Sequence, residues 1–80
     1  MPYSRGSISR PLYETDSGRM YIMVDGEQIK VPWRYGKPYG IQCDNLKTIM
    51  EYEMGDLVEI WYGVRSGRKI LERINFISQY

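Results

Sequence analysis

Along residues 19–24, RMYIMV, the apolar Met20, Ile22 and Val24 alternate with Arg19, Tyr21 and Met23. A period of two predicts a strand with one buried face. EQIKVPW at 27–33 repeats the pattern, with Ile29, Val31 and Trp33 set against Gln28, Lys30 and Pro32. Asp25-Gly26 between the runs tolerates positive φ, so the two strands are expected to form a tight hairpin. Pro32 lacks an N–H, which places an edge or a bulge near it. YGIQC at 39–43 predicts a third short strand. In DNLKTIMEYE, 44–53, Asp44 is a suitable cap and Leu46, Ile49, Met50 and Glu53 fall at helical spacing, which predicts a short helix. Gly55 ends it. In DLVEIWYG, 56–63, Val58, Ile60 and Tyr62 alternate with Leu57, Glu59 and Trp61. After the loop VRSG, RKILERINFIS continues to residue 78, where the adjacent Ile70 and Leu71 imply a bulge that changes the parity.

Residues 1–17 break these periods. Ser, Gly and Pro dominate, with Tyr3, Arg5, Arg10 and Tyr13 interspersed. They predict a flexible or extended arm that orders along a partner or along an exposed barrel edge. The remainder, 18–80, is one small domain, since a chain of 80 residues buries only about 60 to 65 per cent of its unfolded surface. With 42% hydrophobic and 26% charged residues the composition is globular. Cys43 is the sole cysteine and histidine is absent, so neither an internal disulfide nor the usual metal ligands are available, and no metal or other cofactor is expected. Without an apolar leader or a long apolar run, the expectation is a soluble cytoplasmic or otherwise intracellular protein that does not engage membranes.

The succession strand, strand, strand, short helix, strand, strand resembles the OB-fold, a five-stranded, partly open Greek-key barrel with a helix before its fourth strand. The resemblance spans 18–78, and GDLVEIWYGVRSGRKILERI is similar to the closing hairpin of small OB and SH3-like barrels. The implied fold is all-β, or mainly β with one helix; an SH3-like barrel is the alternative. The aromatic signature of cold-shock domains is absent.

Chemistry follows from what is missing and from how charge is arranged. Lacking histidine, serine- or cysteine-type nucleophilic catalysis has no usual base. Cys43 reads as an inert thiol, and Glu51, Glu53, Asp56 and Glu59 as a solvated acidic face. No phosphate-binding glycine loop occurs, so an enzyme is not expected. The net charge of +1 is segregated: +1 over 1–24, +1 over 25–43, −4 over 44–63 and +3 over 64–80. VPWRYGKPYG, 31–40, interleaves three rings with two cations. In the OB-fold, oligonucleotides cross strands two and three between the loops joining strands one to two and four to five. The resemblance therefore implies a surface containing Lys30, Arg34, Tyr35, Lys37 and Tyr39, with Arg65, Arg68 and Lys69 on the last loop. Rings stack on bases and cations follow phosphates, so single-stranded DNA or RNA is the expected partner. Trp33 shares parity with the core, and Tyr35 and Tyr39 divide evenly between stacking platforms and lids over the barrel. The alternative is a protein-binding module, a small inhibitor or an assembly adaptor. It would use Trp61 and Glu59, which share the outward face, the acidic segment 51–59 and a strand edge, with self-association as one form of it.

Overall fold

The computed structural model describes residues 2–43 and 47–79. Five strands close into a barrel in the order β1-β2-β3-β7-β6, and two short strands form a separate ribbon. The barrel strands are β1 (Tyr3–Glu14), β2 (Met20–Val24), β3 (Glu27–Lys30), β6 (Leu57–Arg65) and β7 (Arg68–Ser78). The ribbon is β4 (Trp33–Arg34) with β5 (Lys37–Pro38). All barrel neighbours are antiparallel except β3 and β7, which run parallel through Ile29↔Lys69 and Lys30↔Ile70.

The predicted hairpin of residues 19–33 is present as β2 and β3, with Asp25 at φ 50° and Gly26 at φ 79° in the turn. This is the type I′ geometry that Asp-Gly favours. β3 stops at Lys30, ahead of Pro32, and the Val31 N–H donates to the Met20 carbonyl at 2.9 Å. β6 and β7 also form as expected. The bulge falls at Glu72: Trp61 pairs with Arg73 and Tyr62 with Leu71. The slip puts both Leu71 and Ile74, three positions apart, in the core.

Three elements differ from expectation. Residues 3–14, read from sequence as an irregular arm, form the longest strand. β1 pairs first with β6, Tyr3↔Trp61 to Ser7↔Leu57, and then with β2, Ile8↔Val24 to Glu14↔Met20. Register shifts between Ile8 and Arg10 and between Arg10 and Tyr13 interrupt its alternation. Pro11 lies in the second shift, where the missing N–H costs no regular ladder bond. The close approach of Asp25 requires Gly6: a Cβ there would stand 2.2 Å from Oδ2 of Asp25, whose carboxylate accepts the Ser7 N–H at 3.0 Å.

The expected third strand, 39–43, is reduced to one parallel bridge, Gln42↔Arg73. The predicted helix is also lost over its described part. Asp44 and Leu46 lie outside the described residues; beyond them there is only a 3-10 turn at Ile49–Glu51, with Met50 exposed. Ile49 and Tyr52 nonetheless join the core of Ile8, Ile22, Ile29, Val58 and Ile60, so apolar residues at helical spacing are buried without the helix.

Asp56 overturns the reading of a solvated carboxylate. It is 1% exposed, accepts Lys47 Nζ at 2.6 Å and the Glu53 N–H at 3.0 Å, and its carbonyl accepts the Ile8 N–H at 2.8 Å. Burial alone would raise its pKa, but the Lys47 ammonium and the Glu53 amide outweigh burial and hold it below the ordinary value. Asp56 thus ties the connecting segment to β1 at the start of β6. Burial pushes the neighbouring Tyr52 phenol well above its usual range. Cys43 is half-buried, with Sγ 3.5 Å from the Lys47 carbonyl. Among the described residues, no helix is long and apolar enough to cross a membrane.

Candidate nucleic-acid interface

Three elements deliver cations to one place. Arg19 ends the loop from β1 to β2, which is closed by the Gly18 N–H on the Thr15 carbonyl at 2.9 Å. Lys30 is the last residue of β3. Arg65 and Arg68 face each other across the β6–β7 turn, where Ser66 at φ 54° and Gly67 at φ 74° form another type I′ turn. These four side chains, with Ser66 and Ile70, line a cleft of about 280 Å³ that has no carboxylate in its wall. None of the four forms an ion pair among the described residues. Like charges directly opposite on neighbouring strands repel, so the Arg65/Arg68 pair concentrates uncompensated positive charge at the hairpin tip.

Beside the cleft, on the outer face of β1–β3, the Tyr13 and Tyr21 rings stack with centroids 5.9 Å apart. The Arg10 guanidinium lies 3.7 Å from the Tyr13 centroid, and Gln28 Nε2 donates to the Tyr13 hydroxyl at 2.8 Å. Tyr21 pairs in turn with Lys30. Tyr21 is only 7% exposed and lines the hollow that adjoins the cleft at Lys30 and Arg68. Lys69 lines the adjoining hollow, but Glu27 binds its ammonium and holds its pKa above the ordinary value, and the ammonium also lies 4.8 Å from the Tyr62 ring. Its charge is therefore spent within the protein.

From the cationic cleft a groove of about 500 Å³ continues between the ribbon and the barrel. Arg65 and Ile70 are common to both, and Pro32 and Tyr39 face Gly63 and Glu72 across it. Arg34 lies 4.2 Å from the Tyr39 centroid, covering one face of that ring. The groove shares Gly40 and Glu72 with a third hollow of about 390 Å³ that reaches Trp61 and Arg73. One track therefore runs from the cations past Tyr39 to Trp61. Lys37 is exposed on the ribbon, and Tyr35 projects from its turn, 89% exposed at φ 56°. That backbone conformation is disfavoured for a bulky residue by about 1 kcal/mol or more.

Of the residues expected from sequence, Lys30, Arg65 and Arg68 come together in the cleft and Tyr39 lies along its continuation. Arg34 is attached to Tyr39, whereas Tyr35 and Lys37 stand apart at the ribbon's tip. Trp33 is half-buried against the core. Trp61 does face outward, but it is half-buried in a row with Tyr3, 5.0 Å between centroids, and Arg73, 4.7 Å from its ring. Glu59 accepts the Tyr3 hydroxyl at 2.8 Å and Asn75 Nδ2 at 3.3 Å, and the Tyr3 phenol is shifted upward by that bond. Arg19 and the Tyr13/Tyr21 stack were not anticipated. The outward parity of Arg19 and Tyr21 in RMYIMV was the available signal, and only the pairing of β1 brings Tyr13 beside them. Among the described residues, no group of three His, Cys, Asp or Glu side chains is placed to hold a metal ion.

Compared with known protein families, curated proteins and solved structures, the chain shows no match.

Proposed function

We propose that this protein is an OB-like barrel that binds single-stranded nucleic acid without catalysing a reaction, with phosphates at the cationic cleft and bases along the track toward Trp61. The reading rests on one observation: Arg19, Lys30, Arg65 and Arg68 converge from three elements on a cleft with no acidic wall, two of them directly opposed. An anion between them relieves a repulsion that the protein leaves uncompensated. The strand order, the closed barrel and the position of the cleft beside β2, β3 and the β6–β7 turn support the OB-like assignment. The protein-binding alternative is the weaker one: it draws on a strand edge that closure removes.

The test is fluorescence anisotropy of a short labelled single strand titrated with protein at several salt concentrations. Each phosphate contact contributes about 0.7 to the slope of log affinity against log salt for single strands, so four contacts give a slope of about −3. Absence of binding, or binding indifferent to salt, would refute the proposal.

A further inference from the structure

Glu72 occupies a position that regular strand pairing does not account for. It is the extra residue of the β6–β7 bulge, with no residue opposite it. Its backbone carbonyl accepts the Gln42 N–H at 3.1 Å, which holds the bulge against the connecting segment. Its carboxylate lies over Gly63, where a Cβ would stand 2.5 Å from Oε2. The carboxylate is half-buried and has neither an ion-pair nor a hydrogen-bond partner among the described residues. A carboxylate so placed, in the wall of a groove that also contains Tyr39, Ile70 and Pro32, combines an unused acceptor with flat apolar surface. The groove's volume of about 500 Å³ is ample for a purine. Arg65 and Ile70 line both this groove and the cationic cleft.

Building on the strand-binding reading above, we infer that this groove takes one unpaired guanine of the bound strand and that Glu72 selects it. The choice of base follows from donor and acceptor chemistry. A carboxylate offers two acceptor oxygens side by side. The pairing edge of guanine presents two donors side by side, the ring N1–H and the 2-amino group. Adenine and cytosine present one amino group next to a ring nitrogen acceptor, and thymine and uracil one N–H between two carbonyls. Each of these sets a lone pair against a carboxylate oxygen. Unstacked bases in single strands expose this edge to side chains, with aromatic and apolar surfaces holding the ring. Gly63 belongs to the device because only a residue without a Cβ lets the carboxylate rest where it does.

The experiment uses the full chain and short thymidine strands whose central base is guanine, inosine, adenine, cytosine or thymine, read by anisotropy. Wild type is expected to bind the guanine strand roughly tenfold more tightly than the all-thymidine strand, with inosine, which lacks the 2-amino group, in between. Glu72→Gln should bring guanine down to the thymidine level while the salt slope stays unchanged. Gly63→Ala should do the same with the carboxylate still present, because the new methyl displaces it. If that variant fails to fold by circular dichroism, Glu72→Gln decides alone. Equal affinity of wild type for guanine and thymine, with salt-dependent binding intact, overturns the guanine site and leaves strand binding standing. A guanine preference that survives in Glu72→Gln overturns the role of Glu72. Absence of salt-dependent binding to every strand overturns both this inference and the reading on which it rests.

Discussion

Replacing both Arg65 and Arg68 by alanine should move stability and binding in opposite directions. In the free protein the two guanidinium groups are a directly opposed pair with no acidic neighbour in the cleft wall. Such cross-strand repulsion is worth roughly 0.2–1 kcal/mol. The Ser66-Gly67 turn that sets the hairpin does not depend on either side chain, so the double variant should melt at the same temperature or slightly higher. Binding has the opposite sign. With four phosphate contacts at about 0.7 each, raising salt from about 50 to 200 mM weakens wild type roughly fiftyfold. With two contacts left, the same change costs only about sevenfold. Thermal denaturation followed by circular dichroism and anisotropy titrations at those two salt concentrations measure both quantities on one preparation. An unchanged salt dependence would show that the hairpin tip does not touch phosphate. A marked loss of stability would show that the two arginines serve the fold and that their charge is compensated within the protein.

Four further outcomes are expected. Asp56 has a folded pKa below its unfolded one, so its contribution is present above the unfolded value, near pH 4, and is lost as pH falls through the folded value. Asp56→Asn should therefore flatten the acid limb of the stability profile and cost about 2 kcal/mol at neutral pH; an acid limb identical to wild type would contradict this. Lys47 and Tyr52 have folded values raised above their unfolded ones, so wild type should also lose stability as pH rises above about 10, which urea denaturation at graded pH would detect. Tyr35→Asn puts a residue suited to positive φ into the ribbon turn and should stabilise the protein by about 1 kcal/mol while leaving strand affinity unchanged, because Tyr35 stands apart from the cleft and groove; weakened binding would bring the ribbon tip into the interface. Trp61→Ala should cost about 1–3 kcal/mol of strand affinity with no change of mass in light scattering; a changed mass with intact affinity would favour the protein-binding alternative.

What local physics dictates was legible along the chain. Alternation in RMYIMV, DLVEIWYG and the end of β7 marked strands because a barrel wall has one buried face, and Asp25-Gly26 marked a type I′ turn because few residues accept positive φ. Lys30, Arg65, Arg68 and Tyr39 were recognisable as outward cations and a ring. Where contacts distant in sequence took over, the local signal failed. β1 is a strand because β2 and β6 supply partners for an irregular segment and absorb its two register shifts, so Ser, Gly and Pro described its bends and not its state. Asp56 looked like a solvated acid because nothing in its surroundings along the chain announces that Lys47 and the Glu53 amide will close over it as it meets Ile8. Among the described residues of 44–53 the helical spacing of Ile49 and Glu53 gives a 3-10 turn, and Ile49 and Tyr52 reach the core from it without a longer helix. The joining of cleft, groove and hollow depends on the slip at Glu72 and on Pro32, Tyr39 and Gly40, which flank the ribbon, lying beside β6 and β7. Sequence supplied the periods and the chemical groups; barrel closure, by setting register between strands far apart in the chain, determined which of those groups meet.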